Sequence, residues 1–161
     1  MNNRIKGVFP IKEQLGLVDI FGYTTKGIPG LEILGMGQSG RIVKEKFIYL
    51  ARKLGGPYTM RRYVLCVEAD QRLGNYEKEW LEFPLLVLFW NLRGTLSIKN
   101  LEEYYASGKV SVGGMIAHLD LGQEFIEIQR MRGLHYVSPP NITGSNCQSA
   151  ESLMRGISNF S

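Results

Sequence analysis

The sequence predicts a single α+β domain. Three observations carry that expectation: strand-like alternation over residues 17–24 (LVDIFGYT), a clear helical period over residues 38–54, and a buried β-branched run over residues 63–68 (YVLCVE). Short strands and helices alternate along the 161 residues without an internal repeat, low-complexity tract or linker. One domain over residues 1–161, with its core from about residue 15 to 160, is therefore expected.

The elements follow in order. After the strand at 17–24, a turn at Gly27-Ile28-Pro29-Gly30 leads into a second strand at 30–36. In the helix at 38–54, Val43, Phe47, Leu50, Ala51 and Leu54 fall on one face, and Arg41, Lys44, Glu45 and Arg52 on the other. Gly55-Gly56-Pro57 stops it. Burying each large apolar side chain of that face is worth about 1.5–3 kcal/mol, enough to hold the helix to a sheet. Residues 63–68 form a strand and the polar residues 69–76 a loop. A mostly buried second helix is expected at 78–92, which requires Pro84 in its first turn. Residues 100–106 (NLEEYYA) read as a helical turn or two. Residues 109–112 and 115–118 flank Gly113-Gly114, a two-residue hairpin signal. A third helix at 121–132, a strand at 134–138 ended by Pro139-Pro140, and a closing amphipathic helix at 150–160 complete the chain.

Composition narrows the class. An apolar fraction of 44% with 21% charged residues is that of a folded protein with a sizeable core. The longest apolar run, residues 83–90, is far short of the roughly 20 residues that cross a bilayer, and residues 1–16 lack the apolar region of a secretory signal. No membrane and a cytoplasmic location are the expectation. Cys66 and Cys147 have no partner spacing, so neither a disulfide framework nor a zinc site is read from them. His118 and His135 stand alone and read as structural, Glu77, Glu79 and Glu82 as solvated helix charge, and Trp80 and Trp90 as core flanking the buried helix. No cofactor or metal is expected.

Charge is uneven. Residues 1–62 carry eleven Lys or Arg against four acids; residues 63–161 carry eight against eleven. A basic N-terminal third fits nucleic acid or another polyanion, with a solvated helix face as the plainer alternative. The candidate phosphate contacts are Arg41, Lys44, Arg52, Lys53, Arg61 and Arg62.

Residues 27–46 (GIPGLEILGMGQSGRIVKEK) join a strand to a basic helix through a glycine turn. Gly35, Gly37 and Gly40 there make a candidate phosphate turn, close to G-x-x-x-x-G-K-[ST]. The lysine position holds Arg41, whose planar fork does not replace a compact ammonium, and the hydroxyl position holds Ile42, which cannot bind Mg²⁺. Nucleotide hydrolysis is not expected. A tight strand-to-helix turn explains the glycines, although a helix N-terminus keeps some attraction for anions.

The same residues resemble the N-terminal domain of the ComM/YifB competence-type proteins, the magnesium-chelatase subunit I-like family. Its "G-L-P-x-F-x-I-V-G-L-P" turn is matched by GIPGLEILGMG at 27–37, and its charged helix by Val43-Lys44-Glu45-Lys46. RRYVL at 61–65 matches its arginine-led strand, LEFPLLV at 81–87 its "F-D-L-P-I-A-L" helix, and GKVSVGGMI at 108–116 its "G-E-L-S-L-D-G-x-L" hairpin. The family's "P-A-D-L-P-K-E-G-S" is missing; the loop at 68–80 is unrelated, so the chain resembles a divergent member. The resemblance implies the Lon protease C-terminal fold, also that of ribosomal protein S five domain two: a mixed sheet with packed helices. In larger members an AAA+ ATPase module follows. Here residues 154–160 fall at the family's usual domain end, so that motor is expected to be absent.

Lon-like peptidases use a serine at the start of the buried helix and a lysine on the helix after the hairpin. Residues 75–92 contain no Ser, Thr or Cys, no lysine follows Lys109, and the base position falls near Gln123. The expectation is therefore not an enzyme. The resemblance implies a non-catalytic interaction domain, DNA-associated or partnering a DNA-remodelling AAA+ ATPase. The alternative is a small-ligand or nucleotide-phosphate-binding domain using the pocket above residues 35–40, or a vestigial Lon-like peptidase.

Overall fold

A computed structural model describes residues 3–54, 61–119, 133–137 and 147–149. Strands β1 (Arg4–Ile11) and β2 (Gln14–Thr25) form a long antiparallel hairpin, in register from Arg4 opposite Phe21 to Ile11 opposite Gln14. Next come β3 (Gly30–Leu34), helix α1 (Ser39–Leu54) and β4 (Arg62–Val67). β3 and β4 are parallel neighbours, so the chain between them must cross over, and α1 makes that crossover. Helices α2 (Asn75–Glu79) and α3 (Glu82–Arg93) follow, then β5 (Tyr104–Ala106), β6 (Lys109–Val110), β7 (Met115–Ala117), β8 (His135–Tyr136) and β9 (Cys147–Ser149). One six-stranded mixed sheet has the order β3-β4-β2-β1-β5-β8; a second, smaller sheet has the order β6-β7-β9. The described residues are therefore α+β with a mixed sheet. No helix among them is long and apolar enough to cross a membrane.

Packing follows from the apolar pattern. α3 is apolar almost all round, and Phe83, Leu85, Leu86, Val87, Leu88 and Trp90 are all buried, as such a helix requires. α1 buries Val43, Phe47 and Leu50, the face that the helical period picked out. Phe47 stacks on Phe89 of α3 with ring centroids 6.0 Å apart, and Phe89 meets Tyr63 of β4 edge-on at 5.4 Å. Alternation along β1 sends Ile5 and Phe9 into this main core and Val8 to the opposite face, where it meets Tyr105 and Leu134.

The structure corrects several expectations. β1 was not among the elements read from the sequence, yet Ile5, Val8 and Phe9 are fully buried. Gly7 and Pro10 disguise it. A Cβ on Gly7 would meet Leu81 at 2.7 Å and Ile20 at 2.9 Å, so glycine lets α3 sit close. Pro10 lies beyond the two β1 residues that pair with β5, where a missing N–H is tolerated. The strand expected at 30–36 ends at Leu34. The expected single helix at 78–92 is two helices, broken at Trp80 and Leu81, with Pro84 in the first turn of α3. The break turns the Trp80 carbonyl toward the Gly108 N–H (2.9 Å), and Phe83 N–H donates to the Gly108 carbonyl (3.0 Å).

Residues 100–106 are a 3₁₀ turn (Leu101–Glu103) followed by β5, because Tyr105 and Ala106 pair with Lys6 and Gly7. The hairpin forms, but Val112, Gly113 and Gly114 connect it, with Gly114 at φ 87° and Ser111 N–H donating to the Met115 carbonyl. The strand expected at 134–138 is the shorter β8, and Cys147, expected in a loop, begins β9. The helices expected at 121–132 and 150–160 lie outside the described residues.

Lys6 and Asp19 face each other across β1 and β2 and form an ion pair. The hydrogen bond from Lys6 holds the Asp19 carboxyl below its ordinary value of 3.8, against the opposing effect of partial burial. A depressed carboxylate stabilises the fold fully above its unfolded value and loses that contribution as pH falls through the folded value. Asp19→Asn should therefore flatten the acid limb of the urea midpoint below about pH 4.5. An equally steep fall in variant and wild type contradicts this.

Candidate functional site

Two surfaces carry the chain's chemistry, and α1 contributes to both. On its outer face Arg41, Glu45, Tyr49, Arg52 and Lys53 are exposed and Lys44 is half-buried. Arg41, Lys44, Ile48 and Arg52 are spaced i, i+3, i+7, i+11 and so form one stripe about 16 Å long. Lys44, Arg52 and Arg62 line a groove of about 600 Å³ beside β3, together with Glu32 and Glu45. Of the six cations expected to contact phosphate, the structure thus brings three to one groove. Arg41 shares the helix face with Lys44 and Arg52, Lys53 lies at the far edge of the exposed surface about 100° round the helix from Arg52, and Arg61 is exposed just before β4. Arg62 is bound to Glu32; no carboxylate among the described residues pairs with the other five.

The glycine turn sits at the other side of α1. Gly35 has φ 89°, and a Cβ there would lie 2.2 Å from the Val67 carbonyl oxygen, so both conformation and space demand glycine. Gly37 has φ 59°, and a Cβ on Gly40 would meet the Ile33 carbonyl at 3.2 Å. Close backbone packing accounts for Gly35 and Gly40. Ile42, at the hydroxyl position of the P-loop pattern, is 63% exposed.

Beside this turn lies a cleft of about 490 Å³, bounded by the start of α1, by α2 and α3, and by the β6–β7 hairpin. A closed polar node forms one wall. Lys46 Nζ donates to Glu82 Oε2 (2.8 Å) and to the Val110 carbonyl (3.0 Å), and Val110 N–H donates to Glu82 Oε1 (3.0 Å). Glu82 is only 6% exposed, so its charge is compatible with burial because every bond it needs is made. Further out, Lys109 pairs with Glu79 (3.0 Å) and sits 4.6 Å from the Trp80 ring centroid and 5.2 Å from that of Tyr76. Glu77 accepts the Gly74 N–H instead. The three glutamates of this segment therefore serve three different partners.

His118 packs edge-on against Phe83, and its Nδ1 lies 3.3 Å from the Tyr136 hydroxyl. Among the described residues no three His, Cys, Asp or Glu gather as a metal site would need. Burial pushes the Cys66 thiol up, away from a reactive thiolate. Trp90 is core as expected; Trp80 is half-buried, and its Nε1 has no acceptor among the described residues. No protein-family model matches the chain, and no curated protein matches it.

Lys46, Lys78 and Lys109 were not singled out in the sequence, and Glu82, expected there as solvated helix charge, is instead buried against Lys46. They lie up to 63 positions apart, and no spacing rule joins them. Glu82→Ala would leave Lys46 without its counter-ion and the Val110 N–H without an acceptor, a loss of about 3–5 kcal/mol in chemical denaturation. Adding Lys46→Met should recover much of it; losses that simply add in the double variant contradict a coupled node.

Proposed function

We propose that the chain is a non-catalytic interaction domain that docks nucleic acid on the outer face of α1, in the cytoplasm. The observation that carries this is the composition of the helix face: Arg41, Lys44, Arg52 and Lys53 against the single acid Glu45, with Tyr49 half exposed between them. Cations at this spacing suit a phosphate backbone, and an exposed aromatic ring among them suits a stacked base. Arg61 and Arg62 extend the charge onto β4.

Support for a non-catalytic role is chemical. The start of α3, where a Lon-like nucleophile would stand, carries Trp80, Leu81 and Glu82, and the glycine turn is followed by Arg41 and Ile42. We propose the Lon-like fold itself on the mixed sheet with its packed helices, together with the ComM-like motifs. On that resemblance, a DNA-remodelling AAA+ ATPase is the proposed partner.

Fluorescence anisotropy with a single-stranded oligonucleotide tests the reading. Affinity should fall steeply with salt, and Arg41→Gln with Arg52→Gln should lower the slope of log K against log [salt] by about 1.4, twice the single-strand value per phosphate. Tyr49→Ala should weaken binding while leaving that slope unchanged, by about 1–3 kcal/mol for one stacked base. No affinity at low salt, or a slope indifferent to both arginines, contradicts the proposal.

A further inference from the structure

The cleft beside the glycine turn has a charge balance that the nucleic-acid reading does not use. Two of its lysines are spent: Lys46 on Glu82 and the Val110 carbonyl, and Lys109 on Glu79. Those two pairs also neutralise both glutamates that line it. Lys78 remains. It is half-buried, it lines the same cleft, and no carboxylate among the described residues lies within ion-pair reach of it. Its ammonium is held against the turn, 3.5 Å from where a Cβ on Gly37 would lie. The cleft therefore holds one surplus positive charge, beside Gly37.

Apart from Ser39 and Ser111, the rest of its lining is apolar. Met36, Ile42 and Val43 on one side face Val110, Met115 and Ala117 of the hairpin across the cleft. Ile42 is 63% exposed and Met115 46%, so apolar surface lies open to water on both sides of the cleft. A volume of about 490 Å³ falls within the roughly 300–1,000 Å³ of small-molecule sites, which join apolar walls to a few placed polar groups. One cation in an apolar trough fits one kind of ligand.

We propose that this cleft binds an amphipathic monoanion, an apolar chain or ring bearing a carboxylate, with the carboxylate on Lys78 and the apolar body between Ile42 and Met115. A phosphate monoester carries about −1.5 to −2 at neutral pH, more than the single surplus charge matches. That difference favours a carboxylate head. Ser39, in the first turn of α1, also lines the cleft and adds a hydroxyl to it. The site stands on the opposite side of α1 from the stripe of Arg41, Lys44 and Arg52, and holds whether or not that stripe binds nucleic acid.

Titration calorimetry of the full chain with decanoate, decanol, decylamine and decyl phosphate tests this, with ¹H–¹⁵N shifts to locate the site. Decanoate should bind at one site and shift the amides of Ser39, Ile42, Lys78 and Met115. Decanol and decylamine should bind at least tenfold more weakly. Lys78→Gln, a half-exposed position without an ion-pair partner, should keep the fold and lose at least tenfold in decanoate affinity, and Lys78→Arg should restore it. Equal binding of decanoate and decanol, an unchanged affinity in Lys78→Gln, or shifts confined to other residues would overturn the site. Tighter binding of decyl phosphate than of decanoate would overturn the carboxylate assignment.

Discussion

Glu82 joins three elements that are far apart in the chain. Its carboxylate takes the Lys46 ammonium from α1 and the Val110 N–H from β6, while Lys46 also donates to the Val110 carbonyl. At 6% exposure, an unpaired carboxylate would be costly enough to force the region open. Because all three bonds close on one another, α1, the start of α3 and the hairpin hold one mutual position. The Trp80–Gly108 and Phe83–Gly108 backbone bonds reinforce it from the other side. That arrangement places the cleft, and it orients α1 so that its basic stripe faces away from the cleft.

One helix thus separates two kinds of chemistry. The inner face of α1 buries Val43, Phe47 and Leu50 and fixes the helix to α3 and the sheet. One flank carries Lys46 into the node; the outer face presents Arg41, Lys44, Arg52 and Lys53 to solvent. In the two proposals a polyanion would meet the outer face and a small amphipathic anion the flank. The two sites share a rigid support and no residue, so a change in one need not disturb the other.

α1 was legible because its period, its basic outer face and its glycine-rich entry all agree in sequence, and β2 and β4 because their apolar pattern is short and clean. β1 was not, because Gly7 and Pro10 read as breakers. Only the approach of Leu81 and Ile20 shows why Gly7 is needed, and only the short reach of β5 shows why Pro10 is tolerated. The division of α2 from α3 was equally hidden, since it depends on Gly108, 28 positions after Trp80. For the sites, the six expected cations were visible as charges, but not that Arg62 is bound to Glu32 or that Tyr49 stands among the others. A pocket beside residues 35–40 was expected from the glycine turn, but not its charged lining, because Lys46, Lys78 and Lys109 meet only once three elements are packed.

Native-state amide hydrogen exchange at Val110 tests the node most directly. Its N–H donates to a buried carboxylate in a two-residue strand near a hairpin, where fraying alone would give fast exchange. If the node locks the hairpin to α1 and α3, Val110 should exchange only by global unfolding, with the same denaturant dependence as the α3 amides of Leu86 and Val87. Exchange orders of magnitude faster than α3, through a local opening insensitive to denaturant, would contradict the account.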